Sequence, residues 1–419
     1  MSALDRYLYP RVDSARILTM ILWPISIMMI FHRSVFMAIN GARTDDFRPV
    51  YKAALDFFAR NPVYGEDYST VDPHYLYPPS GTLLMAPLAV IPPDEARWLF
   101  IGTSVLVLVL CAYLLSRMFG YAGNDWVFPA LVLFFFSTET VANTLIFTNF
   151  NAFVLLGLIV FLMLLRSDPS IRGGDWWAGV VIGLTLSVKP VLAPLLLLPL
   201  LQLRWKVLVA AAGVPLLLNI AAWPMIVDSR SFLDRTLPYL MSTRDYYNSS
   251  ITGNGIYFGV ADWLILLLRI AFIVMAAFSL WFLYRYYAKE NELLWLTTSS
   301  GVLLGTTFLV SSLGQGYYSM MLFPFLMSVF LPGSVLRNWP AWLGVYGCMT
   351  FDVYYFSEWE PFGRYLEYNK VPLGWSLLMV TAFCVLLFRW LDIRAAERDA
   401  PEDGVVDDEA RTGAVAAKA

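Results

Sequence analysis

Apolar residues run through the chain in long blocks separated by short polar joints. A helix needs about 20 apolar residues to cross roughly 30 Å of hydrocarbon. On that measure the pattern predicts spans at 16–38, 95–117, 127–146, 150–166, 176–189, 191–203, 206–225, 259–284, 293–313, 317–332, 339–356 and 371–391. Several are short. The pair 176–189 and 191–203 meets at Lys189-Pro190 and reads as a broken or re-entrant pair. The run Pro79–Ile91 is bounded by Tyr77-Pro78-Pro79 and Pro92-Pro93 and is too short to span, so it reads as a juxtamembrane or re-entrant helix. With that choice Arg117, Arg166 with Arg172, Arg204 with Lys206, Arg285 with Lys289, Arg337, and Arg394 with Arg398 all fall on one side, which the positive-inside rule assigns to the cytoplasm. Both termini are then cytoplasmic. The first apolar run, Ile17–Phe31, follows Arg6, Arg11 and Arg16 and lacks a small-residue cleavage site after it, so it reads as a retained signal-anchor. Residues 1–394 form one transmembrane domain with long outer loops at 39–94, 226–258 and 357–370. The acidic, Ala-rich tail 395–419 is expected to be disordered.

Composition fixes the class. Of 419 residues 58% are hydrophobic and only 15% charged, with mean hydropathy +0.61. A soluble domain is nearer 45–50% apolar and about 25% charged. Twenty-nine basic against 32 acidic residues leave no excess to follow a phosphate backbone. A soluble globular domain, a disordered chain and a nucleic-acid binder are excluded; the chain is an all-α polytopic membrane protein of about 11–12 spans. Cys111, Cys348 and Cys384 sit in apolar runs and read as small packed hydrophobes. His32 and His74 are too few for a histidine metal site.

The polar minority gathers at the outer face, first in Asn40–Tyr51 directly after the first span. The adjacent carboxylates Asp45 and Asp46 suit a general base, because an alcohol acceptor must lose its proton as it attacks. Alternatively the loop is merely acidic and solvated. Lys189 is a cation at membrane depth, a candidate ligand for a lipid-linked phosphate or a snorkelling anchor. Glu139 lies within a predicted span and needs a partner. Asn149 belongs to a polar joint, Thr148-Asn149-Phe150-Asn151, that is otherwise a capping turn. Arg244 is a second phosphate candidate, and Asp245 and Asn248 in the same loop are candidate substrate contacts. Tyr317 and Tyr318, beside Gln315, offer rings for a sugar or simply a place in an aromatic belt. Pro78 and Pro79 set the entry of the short helix after Tyr77.

These residues carry a resemblance. An acidic loop after the first span, Tyr-Pro-Pro before a short helix, a Lys-Pro break and the Asn248-Ser249-Ser250 loop resemble the polyprenyl-phosphate-dependent GT-C glycosyltransferases of the GT87 family. Thr44–Phe47, Val71–Pro79, Thr243–Tyr246, Gln315–Pro324 and Arg337–Tyr346 are similar to its arabinofuranosyltransferase branch, and the likeness runs from about residue 16 to 395. The resemblance implies a GT-C fold and a donor, decaprenyl-phosphoryl arabinofuranose, with an α-1,5-linked arabinan of arabinogalactan or lipoarabinomannan as acceptor. The product would be an α-1,3 branch, formed by inversion at a β-linked donor. It implies a base within Asp45-Asp46 and phosphate contacts from Lys189 and Arg244. Many members carry a Tyr four residues after the catalytic Asp; here Tyr51 falls five after Asp46, which leaves Asp45 and Asp46 both open. Several relatives have a His where this chain reads Gln315-Gly316-Tyr317-Tyr318. His74 is either its substitute or structural. A divalent ion held by the two carboxylates and the lipid phosphate stays open. The alternatives are a polyprenyl-phosphomannose-dependent mannosyltransferase and, in a different class, a lipid or sugar transporter or flippase. A transporter would place its ionisable residues near the midplane, often within inverted repeats; here they collect at one face.

Overall fold

The computed structural model describes residues 13–40, 46–167 and 173–399. Asp45, Arg6, Arg11, Arg172 and the tail beyond Asp399 lie outside the described residues. All regular structure among the described residues is helical. The principal helices are α1 (Ser14–Phe31), α2 (Phe47–Ala59), α3 (Pro79–Met85), α4 (Pro93–Met118), α5 (Val127–Ser137), α6 (Glu139–Ile146), α7 (Asn151–Arg166), α8 (Gly174–Leu186), α9 (Trp205–Ala222), α10 (Ile251–Tyr257), α11 (Asp262–Tyr287), α12 (Glu292–Val310), α13 (Trp339–Met349) and α14 (Glu360–Asp399).

Among the described residues six helices are long and apolar enough to cross a membrane: Ser14–Ile39, α4, Trp205–Met225, α11, α12 and Glu360–Arg398. The pair α5–α6, bent by 65°, is either a broken seventh span or a re-entrant loop. The other predicted spans are shorter apolar pieces: α7, Pro190–Leu201, Gly316–Phe330, α8 and α13. The chain is a multi-pass membrane protein whose α12 is buried along 83% of its apolar window. Lipid-facing helices expose their large apolar side chains instead, as α11 does with Leu266, Leu267, Ile270 and Val274. That reversal is the solution for a chain whose solvent is hydrocarbon.

Local chemistry explains the breaks. Proline disfavours the helical region for the residue before it. Lys189 accordingly adopts φ −133° and ψ 108° ahead of Pro190, and α8 stops short of it. Thr138 interrupts the 127–146 run by taking extended backbone and capping α6 through its hydroxyl. The run 79–91 is a short helix followed by a 3-10 turn, Ala86–Val90, as its length predicts.

Two expectations change. The segment 357–370 is not a loop: α14 starts at Glu360, where Arg364 pairs with Glu360 one turn on. Ala395–Asp399 continue the same helix rather than joining a disordered tail.

Close helix contacts rest on small residues. Gly179 and Gly183 lie four apart on α8 and face α9. A Cβ on Gly179 would stand 2.5 Å from both Ala210 Cβ and the Val207 carbonyl oxygen. This is the small-xxx-small packing that replaces the hydrophobic effect between membrane helices. Gly179→Ala should force α8 from α9 and cost about 1–3 kcal/mol, read as a lowered thermal midpoint of the detergent-solubilised protein. An unchanged midpoint would show that the contact yields freely.

Polar ties sort to two ends of the bundle. One end carries Asp228 accepting from the Val63 and Tyr64 amides (both 2.7 Å), Arg235 donating to the Glu66 carbonyl (2.7 Å) and Asn248 bound to Gly314 (2.9 Å). The other carries Arg166 donating to the Met118 carbonyl (2.7 Å), Arg204 paired with Asp175, and Gln202 donating to Glu292 (3.1 Å).

Candidate active site

The site forms where three chain breaks meet. The break after α8 carries Lys189. The Tyr75–Pro79 turn docks on it through Ser80, whose hydroxyl donates to the Ser187 carbonyl (2.7 Å) and whose amide donates to Asn219 (3.1 Å). Gly81 lets this approach happen: a Cβ there would lie 3.0 Å from Tyr77 and 3.5 Å from the Ser187 oxygen. The third break is the end of α6. Thr148 takes a left-handed φ of 54°, its amide bonds the Leu145 carbonyl and the Asn149 amide bonds the Thr144 carbonyl (3.1 Å). This is the Schellman closure that Gly usually makes. A threonine there stores strain of about 1–3 kcal/mol, characteristic of a backbone held for function.

That closure turns two asparagines inward. Asn149 and Asn151 are buried. The Asn149 amide donates to Asp46 Oδ2 (3.4 Å), its carbonyl oxygen accepts from the Asn151 backbone (3.1 Å), and Asn151 Oδ1 accepts from Lys189 Nζ (2.8 Å). A polar chain therefore runs from Asp46 to Lys189. Asn151 was visible in the sequence only as part of a polar joint; its pairing with Lys189 depends on a contact between α7 and the break after α8. Its side-chain nitrogen is buried and makes no hydrogen bond to the described residues.

Rings enclose the ammonium. Lys189 Nζ lies 6.0 Å from the Tyr77 ring centre, 5.5 Å from Tyr317 and 5.6 Å from Tyr318. Three ring faces at this range attract a cation. Among the described residues Asn151 is its one hydrogen-bond acceptor, which leaves donor capacity for a ligand. The negative charge of Asp46 acts on Lys189, Tyr77, Tyr317 and Tyr318 alike, so carboxylate, cation and rings share one site. Burial first and the Asp46 charge second push the Tyr77 phenol up, which keeps it a neutral donor. The turn bearing Tyr317 and Tyr318 is fixed by Thr140, which donates to the Tyr317 carbonyl (2.6 Å) and accepts from the Met320 amide (3.1 Å).

The remaining sequence candidates divide. Arg244 is half-buried, stacks on Tyr239 and Tyr246 (5.7 and 5.4 Å) and acts electrostatically on Tyr317 and Tyr318, so it borders the site. Asp245 is exposed on the same loop. Gln315 precedes the Gly316–Leu322 turn and is half-buried. Glu139 finds its partner in Lys370 (3.6 Å). His74 is tied to Glu66 (3.4 Å) and the Thr70 carbonyl (3.1 Å), with its ring against Tyr68 and Tyr239. It belongs to an aromatic group in which Tyr68 and Tyr239 stack at 4.5 Å and Arg235 lies over Tyr68. Burial first, then the hydrogen bond with Tyr246, pushes Tyr239 up to about 12. Tyr68, Tyr239, Arg235 and Glu66 had no sequence signal, because 169 residues separate Arg235 from Glu66. No group of three or more His, Cys, Asp or Glu placed to hold a metal occurs among the described residues.

Asn248 is a clamp. Its oxygen accepts from the Ser250 and Gly314 amides (3.0 and 2.9 Å) and its nitrogen donates to the Arg244 and Ser312 carbonyls (2.9 and 2.8 Å). Every polar valence of the amide is used by backbone. Asn248→Ala should cost about 2–4 kcal/mol, because buried backbone groups lose their partners; thermal unfolding in detergent checks it, and a loss under 1 kcal/mol would mean water replaces the amide.

The architecture is that of a membrane-embedded transferase, with a carboxylate, a caged cation and aromatic walls at one end of a helical bundle. The chain belongs to glycosyltransferase family 87, whose model matches residues 75–312. It is 53% identical to the α-(1→3)-arabinofuranosyltransferase of Mycolicibacterium smegmatis over 94% of this chain and 90% of that protein. The protein of the same name from Mycobacterium tuberculosis H37Rv matches with the same identity and coverage. That of Corynebacterium glutamicum is 40% identical over 89% of this chain and 88% of its own length. No solved structure matches at a significant level.

Proposed function

We propose that this chain transfers arabinofuranose from a decaprenyl-phosphoryl donor to the 3-hydroxyl of an α-1,5-linked arabinan, making α-1,3 branches. The observation that carries the reading is the 53% identity, over nearly the whole chain, to proteins named for α-(1→3)-arabinofuranosyl transfer. The site supplies what that chemistry needs. The donor phosphate sits against Lys189, inside the Tyr77, Tyr317 and Tyr318 cage, with Arg244 at its border. Asp46 takes the proton of the acceptor hydroxyl as its oxygen attacks the anomeric carbon. The bond from that carbon to the phosphate oxygen breaks, and its electron pair leaves on the polyprenyl phosphate, whose charge Lys189 stabilises. One displacement at a β-linked donor gives the α product without a covalent enzyme intermediate. The Tyr68–Tyr239 stack beside His74 offers the acceptor a ring face.

In this reading the site faces the outer side of the plasma membrane and both termini the cytoplasm, in line with the basic residues of the short loops. The test is a donor comparison. Purified full-length protein is given an α-1,5-arabino-oligosaccharide with either decaprenyl-phosphoryl arabinofuranose or polyprenyl-phosphomannose, and the product linkage is determined. Arabinose at O-3 is expected; transfer of mannose alone would overturn the reading in favour of a mannosyltransferase.

A further inference from the structure

A second polar cleft lies at the opposite end of α8 from Lys189. Thirteen residues of α8, about 20 Å of helix, separate the two. The cleft has a volume of about 570 Å³ and is walled by Gln202, Arg204, Arg285, Lys289, Glu292 and Trp295. Asp175 pairs with Arg204 and Glu292 accepts from Gln202, while Glu290 beside Lys289 is exposed. Arg285 and Lys289 are exposed and form no ion pair among the described residues. At the back stands Trp295, 1% exposed, whose indole N–H makes no hydrogen bond to the described residues.

The cleft continues into an apolar groove of about 510 Å³ along α11 and α12, and the two share Leu201 and Tyr284. The groove is lined by Ile273, Ala277, Leu280 and Leu303 among others, and its Ile273 and Trp281 rims are open to the bilayer. From Tyr284 to Ile273 is about 16 Å of helix, half of the roughly 30 Å hydrocarbon thickness. A cationic pocket opening into a groove one leaflet deep matches one amphiphile. We infer that this cleft and groove bind an anionic glycerophospholipid of the leaflet opposite the Asp46 site. Its phosphate meets Arg285 and Lys289, and one acyl chain lies along α11. Basic pockets between transmembrane helices are the usual recognition mode for such headgroups. The inference is independent of the reaction at Asp46, since no residue is shared between the two sites.

Native mass spectrometry of the full chain from mixed micelles tests it, with phosphatidylglycerol and phosphatidylcholine as probes. Wild type should retain phosphatidylglycerol at least tenfold more tightly than phosphatidylcholine. R285Q with K289Q, both exposed positions, should abolish that preference. Ala277→Trp, which fills the groove, should weaken retention of phosphatidylglycerol while leaving the basic residues in place. Equal retention of both lipids by wild type, or a preference that survives R285Q/K289Q, would overturn the proposal. So would competition by millimolar inorganic phosphate together with full retention in Ala277→Trp, which would make the cleft a simple anion site.

Discussion

Asp46→Asn should reduce sugar transfer by about 10²–10⁴-fold, the range a positioned general base contributes, while leaving the protein folded and the apparent affinity for donor unchanged. The substitution keeps the volume and an oxygen that accepts from Asn149, so the 3.4 Å contact to Asp46 survives in kind. What disappears is the negative charge that Tyr77, Tyr317, Tyr318 and Lys189 all feel, and with it the capacity to take a proton. The measurement is the initial rate of branching by purified variant and wild type at saturating donor. A rate within threefold of wild type would remove Asp46 as the base and move the role to its neighbour Asp45.

Lys189→Met should lower transfer by about 10²–10³-fold, the cost of deleting one preorganised group that meets developing charge. Methionine preserves the length of the side chain and its packing among three rings. It removes the ammonium that donates to Asn151 at 2.8 Å and would meet the departing phosphate. The loss should fall on both the maximal rate and the donor KM, because the phosphate is held in the ground state and gains charge as it leaves. A normal donor KM with a normal rate would make Lys189 a snorkelling anchor.

Much of this arrangement was legible in the sequence because it depends on local rules. Lys189-Pro190 announced a break, and proline sterics produced one there. Tyr77-Pro78-Pro79 announced the start of a short helix, and its seven-residue α3 begins at Pro79. An intramembrane cation was a functional candidate by cost alone, and it lies in the candidate site. What the sequence withheld were the long-range pairings. The Asn149–Asn151 chain needs the left-handed Thr148, a position where glycine is the usual signal. Asn248 read as a ligand candidate, but four backbone partners, Gly314 and Ser312 among them, use its whole amide. Glu139 required a partner, and the partner, Lys370, came from a segment that read as a loop and folds as the first turns of α14. Helix lengths were less legible than helix positions: Thr138 bends one apolar run by 65°, and several apolar blocks fold as helices of 10–17 residues.

The central claim is that the Asp46–Asn149–Asn151–Lys189 chain joins the base to the site of the departing phosphate. The most direct measurement is a structure of the full-length protein with its polyprenyl-phosphoryl sugar donor bound. The account predicts the donor phosphate within hydrogen-bond distance of Lys189 Nζ, inside the ring cage, with the anomeric carbon turned toward the Asp46 carboxylate. A phosphate held by Lys370 or Arg235, with Lys189 bonded only to Asn151, would contradict it.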